Sequence, residues 1–107
     1  MPERLDTDRM IAMTDIAVGL LSAHEFGIAR GFIPELLEYR DYDDWLDCRY
    51  GRFMGCSLGG LDAELVTVGL EDFLNWCRNN QICPSEPALD EFSRKIKRRA
   101  KQIRLAA

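Results

Sequence analysis

The 107-residue sequence contains one histidine, His24, and no two cysteines closer than six positions. A zinc site draws two ligands from within two to four residues, so that one turn of chain supplies two bonds. Cys48, Cys56, Cys77 and Cys83 offer no such pair, and no metal or other cofactor is expected. Long apolar runs are also missing. The most apolar region, Met10 to Leu21, is broken by Asp15 and falls well short of the roughly 20 apolar residues that cross a bilayer. The charged start, Met1 to Arg9, does not resemble an export signal. A cytoplasmic, non-membrane protein is therefore expected, with its cysteines as reduced thiols packed like small hydrophobes.

Several motifs are incomplete. Gly55-Cys56-Ser57-Leu58-Gly59 fits the spacing of a G-x-S-x-G nucleophile elbow, but that elbow needs a preceding strand and a histidine after the serine. Here His24 comes before it, and no strand pattern leads in. Asp41, Asp43, Asp44 and Asp47 have the density of a calcium loop, yet position six is Leu46 and position twelve is Arg52, where glycine and glutamate belong. Nothing in the sequence places His24 and Glu25 beside a cysteine nucleophile, and no phosphate-cradling glycine loop is present. No catalytic residue is assigned, and the chain is not expected to be an enzyme.

Hydrophobic periodicity predicts helices. One begins at Asp6 or Thr7 and carries Met10, Met13, Ile16, Ala17, Leu20 and Leu21 on one face. A second starts at Pro34, a residue suited to a first helical turn, and places Tyr39, Tyr42, Leu46 and Phe53 together. The glycines at 55, 59 and 60 mark a turn. A third helix runs from Leu61 to Asn80. Its stretch Val66-Thr67-Val68 has strand character, but a lone strand has nothing to pair with, so helix is preferred. Ser85 caps the last, at about 86–105, where Leu89, Phe92, Ile96, Ala100 and Ile103 keep the clearest helical period. These elements predict an all-α single domain over 1–107, a bundle or orthogonal array of about four helices.

Charge is divided along the chain. Up to Ser93 there are seven arginines against eighteen acids, and from Arg94 onward seven basic residues and no acid. An acidic ridge on the second helix, Asp41, Asp44 and Asp47, lies beside Tyr39, Tyr42 and Trp45, which are candidate anchors for a partner. Arg94, Lys95, Lys97, Arg98, Arg99, Lys101 and Arg104 form a basic helix. A small regulatory or interaction protein is expected, docking on another protein through these acidic and basic faces. The alternative is a nucleic-acid-associated regulator that binds phosphates through residues 94–104. A homodimer is the further expectation if an apolar face stays exposed.

Overall fold

The computed structural model describes residues 15–106, with the side chains of 104–106 left aside. Among the described residues the chain runs β1 (Asp15–Leu20), α1 (Ala23–Ala29), a short 3-10 helix (Pro34–Glu38), α2 (Tyr42–Leu58), β2 (Asp62–Thr67), α3 (Leu70–Asn79) and α4 (Glu86–Ala106). The two strands pair in parallel from Asp15↔Asp62 to Leu20↔Thr67. The fold is therefore mixed α/β, and the all-α expectation is wrong.

The physical reason lies in burial. Ile16, Ala17 and Leu20, read above as part of a helical stripe, lie in the strand Asp15–Leu20, whose Ala17, Val18 and Gly19 are all buried. A parallel strand covered on both faces shows a continuous apolar run in place of alternation. β2 alternates instead, with Val66 and, just past its end, Val68 buried and Thr67 exposed between them, and Val68 N–H donates to Leu20 O at 2.8 Å. The partner that a lone strand lacked was hidden in another segment read as helix. Met10 and Met13 lie outside the described residues.

Parallel strands need a long crossover, and α1, the 3-10 helix and α2 provide it. Ser22 and Glu25 form a capping box at the start of α1, which satisfies free N–H groups in both directions. At the far end of α2, Gly60 takes φ +86°, a left-handed conformation that costs glycine little. That turn sends the chain into β2.

α4 lies across the sheet and approaches β1 closely at Gly19. A Cβ there would overlap Ser93 Oγ and stand 2.9 Å from Leu89 Cγ. The core collects Trp45, Phe73, Leu21, Ile33, Leu36, Leu89 and Val18, all almost fully buried, each contributing about 1.5–3 kcal/mol of transfer free energy if a large side chain. Two aromatic clusters flank it: Phe26, Tyr42 and Trp45 at 5.2–5.9 Å between centroids, and Phe73, Trp76 and Phe92 at 5.3–6.4 Å. The stripe of α4 that faces the core is rotated from the expected one. Ala88, Leu89, Ser93 and Lys97 are buried, Phe92 and Ile96 only half so, and Ile103 is exposed.

No helix among the described residues is long and apolar enough to cross a membrane.

Candidate functional site

Glu86, Asp90 and Arg94 recur every four residues, so one face of α4 carries all three. Opposite them α2 presents Cys48, Arg49 and Arg52, and Asp15, Ile16 and Ala17 of β1 close the third side. The result is an open groove of about 500 Å³. Its inner wall is an ion cluster. Arg49, 4% exposed, pairs through one guanidinium nitrogen with Glu86 and through the other with Asp90. The guanidinium carbon also sits 5.3 Å from the centre of the Trp45 ring, a cation–π contact in a dry site.

Each carboxylate has a second partner. The Tyr39 hydroxyl donates to Glu86 Oε1 at 3.1 Å, and Gly19 N–H donates to Asp90 Oδ1 at 2.9 Å. Asp90 thus satisfies a backbone donor on the edge of β1 that has no neighbouring strand among the described residues. Burial, followed by the negative charge of Glu86 and the hydrogen bond to it, pushes the Tyr39 hydroxyl up to about 12. The phenol stays protonated and serves as a donor. Arg52 stands 3.9 Å from Asp90 Oδ2 at the mouth of the groove.

A second cluster closes the far end of the sheet. Lys97 Nζ, on a side chain 6% exposed, reaches Asp15 Oδ1 at 2.7 Å and Asp62 Oδ1 at 3.3 Å. It also donates to the carbonyls of Asp62 and Ile16, at 2.7 and 3.2 Å. One ammonium therefore pins α4 to the first residues of both strands. Arg98 Nε donates to Asp15 Oδ2 at 3.0 Å. Burial tends to raise the Asp15 carboxyl, but the hydrogen bonds and charges of Lys97 and Arg98 outweigh it and hold the group below its ordinary value.

The residues singled out from the sequence are scattered between these structural roles and the surface. Trp45 is fully buried, and the Tyr42 hydroxyl donates to Leu21 O at 2.6 Å. With Tyr39 bound to Glu86, the three aromatic residues proposed as anchors face the interior and do not form an exposed docking patch. Asp41 caps α2 by accepting Asp44 N–H at 2.8 Å, and Asp44 accepts Arg40 N–H at 3.0 Å, both carboxylates lying at the positive end of the helix dipole. Asp47 is exposed.

Of the basic helix, Arg94 lines the groove, Lys95 lies 5.6 Å over the Trp76 ring, and Lys97 and Arg98 hold β1. Arg99 and Lys101 are exposed, and the Arg104 side chain lies outside the described residues. Among the described residues the tail's ion pairs are with Asp15 and Asp62, not with the ridge from Asp41 to Asp47.

Other candidates of the sequence are apart. Ser57 sits exposed in the last turn of α2, whereas a nucleophile elbow is a strand-to-helix turn; His24 is exposed at the start of α1. Cys77 is buried, and burial, with a smaller effect from Cys83, pushes its thiol up. Among the described residues no three His, Cys, Asp or Glu side chains are grouped to hold a metal ion.

Sequence reasoning missed Arg49, Glu86, Asp90, Asp15 and Asp62. Two signals were present: Arg49 follows Trp45 by four residues on the inward face of α2, and Lys97 follows Ser93 by four on that of α4. A charged residue on a core-facing stripe announces a buried partner of opposite sign. No protein-family model, curated protein or solved structure matches the chain.

Proposed function

We propose that this chain is a non-catalytic docking protein whose contact surface is the outer face of the C-terminal half of α2. The observation that carries the reading is a row of large apolar side chains left in solvent: Tyr50, Met54 and Leu58, at 47%, 51% and 83% exposure. They are four residues apart, hence on one face of one helix. A contiguous apolar row of this kind marks an interaction surface more often than isolated exposed leucines do. Support also comes from the buried charges, since Arg49 and Lys97 are matched by carboxylates that tie helix to sheet. Those groups serve the fold, and the sites proposed from sequence at Tyr39, Tyr42 and Trp45 do the same. A cytoplasmic setting belongs with this reading.

The test compares two surfaces by substitution. Cutting the chain at Ser93 would remove Lys97 with the tail and so release both strands, which makes truncation uninformative. A photoreactive benzoylphenylalanine at position 54 is expected to give a protein adduct in cells, and the same group at the exposed Glu71 of α3 none. Absence of any adduct from position 54 overturns the reading. If instead the purified chain shifts a labelled mixed-sequence duplex or single strand, loses it steeply with salt, and loses it in Arg99→Ala/Lys101→Ala, the basic helix is the functional surface.

A further inference from the structure

Beside the exposed row of α2 runs a second row with no side chains. Gly51, Gly55 and Gly59 follow Tyr50, Met54 and Leu58 by one residue each, and a Cβ added at Gly51 or Gly55 would meet nothing within 4 Å. Glycine inside a helix is unfavourable relative to alanine, and among the described residues nothing approaches these two closely enough to require it. The ridge and the notch are both i±4 rows, the geometry by which helices interdigitate.

We infer that the outer face of α2 docks on the same face of a second copy of this chain, with the two helices antiparallel. The inference rests on the docking reading above and adds the occupant. In an antiparallel pair related by a two-fold axis between positions 54 and 55, Met54 falls on Gly55 of the other copy, Leu58 on Gly51 and Tyr50 on Gly59. Every large residue of the ridge meets a glycine, and the same patch serves on both sides, as a two-fold contact requires. Small residues at such a crossing let backbones approach closely.

Charge selects both occupant and direction. From Tyr50 to Leu61 the only charged side chain is Arg52, in a chain that is 30% charged. A partner recognised by acidic or basic groups would find little to hold, whereas a second copy brings its own apolar row. The exposed Asp43 and Asp47 lie at the other end of α2. In a parallel pair they would stand beside their counterparts. In the antiparallel pair the two copies of Asp43 are about 35 Å apart along the helices at 1.5 Å per residue, beyond the screening length of about 8 Å at physiological salt. A contact of two or three helical turns is smaller than the roughly 800 Å² per partner of a stable complex, so the dimer is weak and depends on concentration.

Sedimentation equilibrium of the full chain from micromolar to millimolar concentration tests this. The weight-average mass is expected to rise from one chain towards two. Met54→Glu removes the rise. Gly55→Leu fills an open notch, so it raises the unfolding temperature yet weakens association by about tenfold or more; opposite signs in one variant separate a docking effect from misfolding. For direction, cysteines are placed singly in a chain carrying Cys48→Ser, Cys56→Ser and Cys83→Ser. Met54→Cys is expected to form an interchain disulfide. Leu58→Cys is not, because its two copies stand about 10 Å apart along antiparallel helices. A chain that remains single at every concentration, or a dimer that survives both Met54→Glu and Gly55→Leu, overturns self-docking. Cross-linking at both positions overturns the antiparallel register. If the chain stays single while position 54 still labels a different protein, self-docking fails and the docking reading stands.

Discussion

Replacing Arg49 with methionine should be among the most damaging single changes outside the apolar core. The substitution keeps the volume of the aliphatic stem but leaves Glu86 and Asp90, whose side chains are 18% and 14% exposed, without their shared cation. Removing one partner of a buried pair costs about 3–5 kcal/mol, because the remaining charge is left desolvated. Two features hold the figure near the lower end. Glu86 keeps the Tyr39 hydroxyl and Asp90 keeps Gly19 N–H, and Arg52 is already 3.9 Å from Asp90 Oδ2. A loss of about 3 kcal/mol is a factor of more than one hundred in the folding equilibrium and a fall of about 12–24 °C in melting temperature for a domain of this size. Urea titration followed by circular dichroism and by the fluorescence of Trp45, which lies against Arg49, measures it. The triple change Arg49→Met/Glu86→Gln/Asp90→Asn should be more stable than the single one. A loss below about 1 kcal/mol, the range of a surface pair, would refute this account of the cluster.

Gly19→Ala should cost about 1–3 kcal/mol by overpacking, since its Cβ would overlap Ser93 Oγ and crowd Leu89; adding Ser93→Ala should recover part of the loss, and a chemical melt in which alanine at 19 is neutral would show that α4 does not seat on β1 as described. Tyr39 predicts an alkaline limb of stability. Its folded pKa of about 12 lies above the ordinary value of 10, so its contribution is complete below about pH 10 and is lost as pH rises from there through 12. Tyr39→Phe should flatten that limb relative to wild type in urea melts between about pH 9 and 11, and an unchanged slope would remove Tyr39 from the cluster.

How much of this fold was legible depended on whether local pattern or a distant partner decided the outcome. α4 was readable, because Ser85 caps its start, donating no surprise to the pattern: Ala88 N–H reaches Ser85 Oγ at 3.1 Å. Its inward face was less so, since Ser93 and Lys97 occupy core positions that a hydrophobic count assigns to Phe92 and Ile96. The strands failed for a different reason. Asp15–Leu20 is six residues long, too short for its period to separate a buried strand from a turn and a half of buried helix. Its partner lies across the whole of α1 and α2, and parallel pairing over such a distance leaves no hairpin or turn signal. Only the β-branched run at Val66-Thr67-Val68 hinted at it.

The same distinction explains the charges. A division into acidic body and basic tail suggests two surfaces, but two of the tail's residues, Lys97 and Arg98, are bound to Asp15 some eighty positions earlier. Sequence clustering reports which charges are neighbours along the helix, while burial selects those on one face. On α4 that face holds Lys97 and Asp90 with Leu89 and Ser93, leaving Arg99 and Lys101 to solvent. Conversely, the proposed contact surface on α2 carries almost no charge, and its glycines read in the sequence as a break in the helix. They lie within α2 up to Gly55, and Gly59 caps it. No contact among the described residues requires Gly51 or Gly55, and self-docking is the use proposed for the open notch they leave. That makes Gly55→Leu the decisive substitution: a gain in monomer stability with unchanged self-association would leave the glycine row without a purpose in docking.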